Sequence, residues 1–370
     1  MNKRILFYYT QLNIGGAEKS LVRMMNALFR DGNEVTLLTR YGHGGSEKFL
    51  DAGIRRVALS EVPANSGCCG KIYVAVQRLW RTLKLRALNV HCDLVVTGLH
   101  GLSPEFVLKN VHSQRYMQCI RNDLMQITAK ERVLGNLQKF QAQTDDYLCV
   151  SQTAFDSLVK LLPGIQEKAF VLYNFLDVPE MRKRITEAER PFENGTAFRM
   201  VSVCRVEDSS KGVFRMLNVA RRLAESGYDF QWYLVGDGPD AEKLRNQIIA
   251  RKAERYFIMV GRKENPFSYY KYADLVVVPS YHEGLCGVVN EAKIAGAAVL
   301  ATEFSGIHEQ LTHGENGWIV ENSEEAIYAG LKTLLDNRVL LARIANADYP
   351  KEIIDDQAKL TALYRHLGWI

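Results

Sequence analysis

The sequence predicts an α/β protein with two doubly wound domains, each built on a parallel sheet that helices cover on both faces. Three observations lead there. Short runs rich in Val, Ile, Leu and Tyr alternate with amphipathic segments. The runs lack strict polar alternation, as is typical of strands buried on both faces. The alternation also occurs twice, and the 370 residues are enough for two domains.

The first series extends over residues 1–180. Its predicted strands are RILFYYT, EVTLLTR, RRVALS, DLVVTG, RYMQCI, DYLCVS and AFVLYN, and its helices are predicted at residues 17–30, 71–88 and 152–161. Residues 181–197 are polar and contain proline, which predicts a linker.

The second series occupies residues 198–348. Its predicted strands are FRMVSVCR, FQWYLVG, YFIMVG, DLVVVPS and AAVLAT, with helices near residues 211–227, 240–254, 285–296 and 323–337. In doubly wound sheets ligands bind beyond the carboxyl ends of the strands. With two domains, we expect a site in a cleft between them.

Composition restricts the class of protein. The chain is 47% hydrophobic and 24% charged, and its longest apolar runs fall short of the ~20 residues of a membrane span. The seven cysteines are odd in number and none has zinc-site spacing, which predicts reduced thiols, a cytoplasmic protein and no metal site.

Charge is uneven along the chain. Residues 1–175 hold 22 Lys/Arg and 14 Asp/Glu, a net charge of +8, so the remainder carries −3. Such asymmetry is typical of a polyanionic or membrane-surface partner, although ordinary scatter is the alternative. No nucleic-acid partner is expected.

The segment HEGLCGVVNEAKIAG, residues 282–296, carries two glutamates in apolar surroundings. If it were helical throughout, the eight steps from Glu283 to Glu291 would cover ~12 Å, about the span from sugar to ribose in a nucleoside diphosphate sugar. The helix N-terminus between them suits a diphosphate, and Gly284 and Gly287 leave room for one. The alternative is that Glu283 only favours a helix N-terminus and Glu291 lies on a solvated face.

Two further features follow predicted strands. Arg205 and Lys211 stand in CRVEDSSKG, where two cations would neutralise a departing diphosphate. Gly15 and Gly16 open a helix after the first strand and permit close backbone approach by a ligand. A solvated basic pair and a simple tight turn are the respective alternatives. Together, features at carboxyl ends of strands favour a binding site.

The chain resembles the retaining glycosyltransferases of family 4, which have the GT-B fold of two Rossmann-like domains facing across a cleft. The resemblance covers nearly the whole length. Its markers are GGAEKSLVRMMNAL, VSVCRVEDSSKG, LVGDGPDAEKL, NPFSYYKYADLVVVPSYHEGL and the two glutamates of the Glu-x7-Glu pattern.

The resemblance implies that residues 198–348 bind a UDP-linked sugar donor and that residues 1–180 face the acceptor, a glycan or lipid-linked glycan. Arg205 and Lys211 would hold the diphosphate, Glu291 the ribose and Glu283 the sugar. The remaining implied donor-binding residues are Gly284, Leu285, Cys286 and Gly287 beside the first glutamate, Gly261 and Arg262 at the base, and Gly15 and Gly16 from the N-terminal domain. Residues 349–370 would form a helix returning to that domain.

Two departures from the family pattern stand out. The Arg-to-Lys spacing in RVEDSSK is one residue longer than usual, so this loop must bulge. Many relatives have a His after the strand that corresponds to RYMQCI, where this chain has Arg121, Asn122 and Asp123. Asn122 and Asp123 are acceptor-side candidates, and a capping role for Asp123 is the alternative.

The resemblance implies retaining transfer without a settled nucleophile, through same-face attack. No Asp-x-Asp occurs in the chain, so we expect metal-independent activity and no cofactor. A non-catalytic GT-B scaffold and another nucleotide-sugar enzyme of this fold are the alternatives. A dinucleotide oxidoreductase is disfavoured because neither domain opens with Gly-x-Gly-x-x-Gly.

Residues 70–88 are basic and amphipathic, with Trp80 among apolar positions. Such a helix lies on an anionic membrane surface in some proteins, which would place the enzyme at the inner face of the membrane. The alternative is a core-facing helix with a solvated basic side.

Overall fold

The protein is described by a computed structural model that covers residues 2–42, 44–62, 67–87, 91–127, 129–193, 195 and 197–370. Two compact units are present. The first comprises Met1–Asp177 and Asp355–Ile370, and the second comprises Val178–Ile354.

The first unit contains a seven-stranded parallel sheet with strand order β3-β2-β1-β4-β5-β6-β7. The strands are β1 Arg4–Tyr9, β2 Glu34–Thr39, β3 Arg55–Ala58, β4 His91–Thr97, β5 His112–Ile120, β6 Asp146–Cys149 and β7 Ala169–Val171. The helices are α1 Gly16–Arg30, α2 Cys68–Ala87, α3 Glu105–Asn110, α4 Lys130–Lys139 and α5 Gln152–Leu161, with short 3-10 turns at Glu47–Phe49 and Gln166–Lys168.

The second unit contains a six-stranded parallel sheet with strand order β10-β9-β8-β11-β12-β13. The strands are β8 Phe198–Val203, β9 Phe230–Val235, β10 Phe257–Gly261, β11 Leu275–Val278, β12 Val299–Thr302 and β13 Trp318–Val320. The helices are α6 Val178–Thr186, α7 Asp208–Lys211, α8 Val213–Glu225, α9 Ala241–Ala250, α10 Phe267–Tyr272, α11 Gly287–Ile294, α12 Ile307–Gln310, α13 Glu324–Asp336, α14 Arg338–Asn346 and α15 Lys351–Ile354.

Both sheets confirm the predicted fold class, and each reverses its strand order at one place. In the first sheet the reversal lies between β1 and β4, and in the second it lies between β8 and β11. Because the strands are parallel, the loops that follow the two central strands leave the same edge and diverge. This opening at the carboxyl edge is where a doubly wound sheet binds its ligand.

Burial explains why the strand runs lack alternation. All four residues of β11 and all four of β12 are buried, and Trp232 on β9 is fully enclosed. The core of the second unit combines these strands with the inner faces of α8 and α13. Side chains on both faces of the sheet therefore leave water, which favours continuous apolar runs over alternating ones.

The predicted linker requires a correction. Residues 178–186 form α6, which packs on α10 and α11 of the second unit, so a helix occupies the first part of residues 181–197. Met181 is buried at this contact. The polar and charged residues that suggested a linker cover the exposed side of a short amphipathic helix.

The helix predicted for residues 211–227 is also interrupted. Gly212 has φ of +65° and separates the single turn of α7 from α8. A side chain there would be strained and would crowd the carbonyl oxygen of Pro279.

The C-terminal segment divides between the units. Lys351–Ile354 belongs to the second unit, whereas α16, Asp356–His366, belongs to the first. The Asp356 carboxylate accepts hydrogen bonds from the backbone N–H groups of Leu176 and Asp177, and the Tyr364 hydroxyl donates to Asp31. The last helix is thereby fixed to the first unit.

Lys293 on α11 is a buried cation of the second unit. The residue is 6% exposed, and its ammonium group donates to the carbonyl oxygens of Ile344 and Ala345 at the end of α14. Burial lowers the pKa of Lys293 to about 8. These carbonyls provide dipoles but no full negative charge.

The protonation of Lys293 should make the stability of the protein depend on pH. The pKa of about 8 in the folded chain lies below the ordinary lysine value of 10.5, so between those values the unfolded chain binds more protons and stability rises with pH. The free energy of unfolding of the wild type, relative to Lys293→Met, should therefore rise by about 2 kcal/mol from pH 7.5 to pH 10. Urea unfolding at both pH values measures it. Lys243→Met, at an exposed site on α9, is the matched control, and a pH-independent difference for Lys293→Met would contradict the prediction.

Candidate functional site

The candidate site of the second unit is formed by the loops that follow β8 and β11, on either side of the strand-order reversal. The Lys211 ammonium group donates to Glu283 Oε1 at 2.5 Å, and the Ser280 hydroxyl donates to the same oxygen at 2.8 Å. The lysine and glutamate side chains are 22% and 16% exposed. The structure therefore brings together two of the three residues predicted to act in catalysis.

This ion pair controls the protonation of Lys211. Burial alone would lower the pKa of the ammonium group, but the adjacent Glu283 carboxylate outweighs it, and the pKa of Lys211 is raised. Lys211 is consequently a permanent cation at neutral pH. The alternative that Arg205 and Lys211 form a solvated basic pair is wrong for Lys211.

The loop that carries Glu283 is fixed by hydrogen bonds to three neighbouring residues. Buried Arg215 on α8 donates to the carbonyl oxygen of Pro279, and Thr302 donates to that of Ser280 at 2.7 Å. The Tyr281 N–H donates to the carbonyl oxygen of Ser210 at 2.8 Å, which joins this loop to α7. The carboxylate is therefore held by a rigid loop, as precise positioning requires.

Arg215 makes two more contacts at this loop. Its guanidinium group lies 3.8 Å from the ring centroid of Tyr281 and donates to Asn322 Oδ1 at 2.7 Å. Burial lowers the pKa of Arg215, although nearby acidic groups and Tyr281 oppose the shift. Asn322 in turn donates to the carbonyl oxygen of Tyr281 at 3.1 Å.

Residues 283–286 are not helical, which corrects the predicted helix at residues 285–296. Helix α11 begins at Gly287, so the ~12 Å helical span between the glutamates is wrong and only its second half rises as a helix. Gly284, Leu285 and Cys286 are buried in the connecting turn, and Gly287 is exposed.

The turn before α11 is clamped by Gln310. The Cys286 N–H donates to Gln310 Oε1 at 2.9 Å, and Gln310 Nε2 donates back to the Cys286 carbonyl oxygen at 2.8 Å. Gly306, with φ of +77°, places its backbone against the carbonyl oxygen of Gly284, where a side chain would clash. Burial, and secondly Glu283, raise the pKa of the Cys286 thiol, which stays neutral.

Glu291 lies inside the protein. It is 7% exposed, and its Oε2 accepts a hydrogen bond from the Tyr270 hydroxyl at 3.2 Å. Burial and then Glu291 raise the pKa of Tyr270 well above its ordinary value, so this hydroxyl remains a donor. The alternative that Glu291 lies on a solvated face is wrong.

The other predicted residues of the second unit are less enclosed. Arg205 directs an exposed guanidinium group near Glu207, with 3.9 Å between charged atoms. Gly261 ends β10 with φ of +69°, and Arg262 after it is exposed. Their proposed contacts with the diphosphate and the base stay predictions.

In the first unit, Gly15 and Gly16 begin α1 directly after the loop that follows β1. Asn122 is exposed. Asp123 Oδ1 accepts from the Met125 N–H at 2.8 Å within a turn, and the next described helix, α4, begins only at Lys130, so this contact caps no helix. Arg121 is 7% exposed and donates to the carbonyl oxygen of Gly98 at 2.8 Å. The roles of the two glycines and of Asn122 as ligand contacts stay predictions.

Sequence reasoning missed the residues that hold the site. Ser280 and Tyr270 stand in a motif block that resembles the family, but that block does not reveal that they contact the two glutamates. Arg215 and Gln310 lie 68 and 27 positions from Glu283 along the chain, on helices α8 and α12, and no local pattern identifies them. Within the described ranges, no three His, Cys, Asp or Glu side chains converge to form a metal site.

Residues 183–350 match the family model described as glycosyl transferases group 1. This domain family covers the whole of the site built around Lys211, Glu283 and Glu291. The matched residues lie within the second unit. Together with the two parallel-sheet units and the structural neighbours below, the match supports a glycosyltransferase with the GT-B fold.

Known proteins extend this likeness over the full length. An uncharacterized glycosyltransferase of Haemophilus influenzae is 26% identical over 369 residues, which is 96% of this chain and 99% of that protein. The solved structure of Anabaena HepE in complex with UDP and glucose covers 100% of both chains with a TM-score of 0.78 and 18% identity, which shows the fold alone.

A third relative has a described acceptor. The N-acetylgalactosamine-N,N'-diacetylbacillosaminyl-diphospho-undecaprenol 4-alpha-N-acetylgalactosaminyltransferase of Campylobacter jejuni is 24% identical over 212 residues. The match covers 57% of this chain and 56% of the relative.

The Lys211–Glu283 pair should be coupled in stability. Lys211→Met and Glu283→Gln each remove one partner of a partly buried ion pair. The two single-variant losses in the free energy of unfolding should therefore add up to about 1–3 kcal/mol more than the loss in the double variant. A double-mutant cycle from urea unfolding at pH 7.5 measures it. The exposed pair Lys109–Glu105, mutated to Met and Gln, is the control, for which the coupling should stay below about 0.5 kcal/mol. Additive effects at Lys211 and Glu283 would contradict the prediction.

Proposed function

We propose that the protein is a retaining glycosyltransferase of family 4 that moves a sugar from a UDP-linked donor to a glycan or lipid-linked glycan. The observation that supports this most strongly is the Lys211–Glu283 ion pair at the strand-order reversal, followed by buried Glu291 on the next helix. A carboxylate lies on each side of the turn that begins α11, and a cation lies beside the first.

The two carboxylates are suited to bind hydroxyl groups. Glu291 is buried and receives one hydrogen bond from Tyr270, so its orientation is fixed before a ribose arrives. Glu283 is oriented by Ser280 and Lys211 and would accept hydrogen bonds from the sugar. Such charge-assisted bonds are stronger than neutral ones, and the fixed partners remove the cost of ordering the side chains.

The diphosphate would be bound by Lys211, Arg205 and the N-terminus of α11. No side-chain cap hydrogen bond closes that N-terminus, since Cys286 occupies the N-cap position. A helix N-terminus and two cations provide positive potential where negative charge grows on the leaving group. The UDP complexes of Anabaena HepE support uracil as the base of the donor.

In the proposed reaction the bond between the anomeric carbon and the β-phosphate oxygen breaks, and its electron pair leaves with UDP. The acceptor hydroxyl attacks from the same face and passes its proton to the departing phosphate oxygen. Lys211 and Arg205 stabilise the phosphate while this charge develops. No protein nucleophile takes part, which distinguishes this route from double displacement.

The acceptor proposal rests on relatives. The Campylobacter jejuni relative acts on a saccharide linked to diphospho-undecaprenol. We therefore propose an acceptor of the same class and a cytoplasmic site of action at the inner face of the membrane. In the described part of the chain, no helix has the length and apolar character needed to cross a bilayer.

Mutation of the two glutamates should separate donor binding from turnover. Glu291→Ala removes the ribose contact and should weaken UDP binding by roughly 10- to 100-fold, as for a lost charge-assisted hydrogen bond. Glu283→Ala removes a sugar contact, so UDP affinity should stay within about threefold while turnover falls. Calorimetry with UDP and a screen of nucleotide sugars for hydrolysis measure the two effects.

Glu242→Ala, at an exposed position on α9, is the control and should change neither quantity. Thermal unfolding of each variant verifies that the domain is folded. If the wild type fails to bind UDP, the non-catalytic scaffold is favoured. If both glutamate variants keep normal activity, the site assignment is wrong.

Metal dependence is a separate prediction. Since the cations proposed to hold the diphosphate are Lys211 and Arg205, turnover in 5 mM EDTA should stay within about twofold of turnover with added Mg²⁺ or Mn²⁺. Lys211→Met should then lower turnover with or without metal. Activity that disappears on chelation and returns with Mg²⁺ would refute metal independence.

A further inference from the structure

Helix α2, Cys68–Ala87, carries a continuous apolar stripe on its outer side. Six large apolar side chains of this helix are between 54% and 66% exposed: Ile72, Tyr73, Val76, Leu79, Trp80 and Leu83. Their spacing of one, three or four residues places them on one face of a helix. They are half of the large exposed apolar side chains found in the described residues.

The inner side of α2 explains why this stripe faces outward. Val74 and Leu85 are buried, at 7% and 8% exposure, and Leu85 joins the core beneath β1 and β4. Arg81 donates to Glu61 and to the carbonyl oxygen of Ala58, and the Arg78 guanidinium group lies 4.7 Å from the ring centroid of Tyr41. The helix is therefore packed on the domain through a small apolar contact and two arginines.

This arrangement reverses the core-facing alternative considered from the sequence. That alternative places the apolar residues inward and the basic residues in water. Instead, most of the apolar surface lies outward, while Arg78 and Arg81 contact the domain. A stripe of this size on a soluble surface is typical of a binding face.

The charges around the stripe define its partner. Helix α2 contains five Lys/Arg and no Asp/Glu. Lys71, Lys84 and Arg86 are exposed, and Lys84 and Arg86 border the stripe on opposite sides. An apolar face bordered by cations matches a surface that is apolar in its interior and anionic at its boundary, which is a bilayer containing anionic lipids.

A second copy of the chain fits less well. In a twofold contact the same face of both copies would meet, which would bring the cations of two α2 helices together without an acidic residue on either helix. The stripe also runs from Ile72 to Leu83, about 16 Å of helix, which is the shape of an in-plane membrane contact.

We propose that α2 binds the surface of anionic membranes, with its axis in the membrane plane and the six apolar side chains inserted between lipid headgroups. The cations at its borders contact the anionic headgroups. This inference does not depend on the sugar-transfer proposal, because the binding would persist in a protein that transfers no sugar.

Vesicle co-sedimentation of the full chain tests the proposal. Wild-type protein should bind vesicles of phosphatidylcholine with 30% phosphatidylglycerol at least about tenfold more strongly than pure phosphatidylcholine, and raised salt should weaken this binding. Leu79→Asp/Trp80→Asp should reduce binding about tenfold or more, because two inserted apolar groups are lost. The matched control is Ile249→Asp/Val339→Asp, at exposed apolar positions on α9 and α14, which should bind as the wild type does.

A charge variant tests the borders without changing the stripe. Lys84→Glu/Arg86→Glu should reduce binding to anionic vesicles about tenfold, whereas Arg182→Glu/Lys183→Glu, at exposed positions on α6, changes net charge equally and should bind like the wild type. Circular dichroism and thermal unfolding verify folding, and the charge variant remains informative if the stripe variant does not fold.

Three results would overturn the proposal. The first is no vesicle binding by the wild type, and the second is equal binding by the wild type and both α2 variants. The third is a wild-type dimer that Leu79→Asp/Trp80→Asp converts to a monomer while vesicle binding is unchanged. That outcome would assign the stripe to a second copy of the chain.

Discussion

The ion pair between Lys211 and Glu283 joins the two loops on which the candidate site is built. One loop follows β8 and the other follows β11, and these strands adjoin at the reversal of the second sheet. The loops therefore leave neighbouring strands in opposite directions, and this ion pair and the Tyr281–Ser210 backbone hydrogen bond hold them together. Breaking such a partly buried pair is costly because the remaining charge loses its partner.

A second set of contacts makes this pair possible. Arg215 donates to the carbonyl oxygen of Pro279, just after the end of β11. Gln310 holds the turn before α11 through its side-chain oxygen and nitrogen, which both bond the backbone of Cys286. The polar atoms of both residues are engaged with backbone and side-chain groups of the protein, so neither is a candidate to contact the sugar donor directly. Their contribution is to hold the carboxylate of Glu283 and the start of α11 in fixed positions, which a site on a loop requires.

The fold was predictable because strands buried on both faces of a sheet consist of continuous apolar residues. All twelve predicted strands occur in the structure. One strand of the structure, β13, Trp318–Val320, was not predicted, because its three residues are too few to show an apolar run. Helix α6 was missed for a different reason, since its exposed charges outweigh the single buried Met181. The pairing of Lys211 with Glu283 was not predictable in detail, because 72 residues separate them and only the strand order brings them together.

Glu291 and helix α2 are two places where the structure decides between alternatives that the sequence leaves open. For Glu291, sequence alone left a solvated face as an alternative, and burial beside Tyr270 excludes it. For α2, the same amphipathic pattern is compatible with a helix that faces the core or one that faces away, because periodicity defines a face but not its direction. Which face of the helix packs on the domain depends on the groups of the domain that contact it. Arg78 and Arg81 find an aromatic ring, a carboxylate and a carbonyl group on the inner side, so the cations turn inward and the apolar stripe is left to face outward.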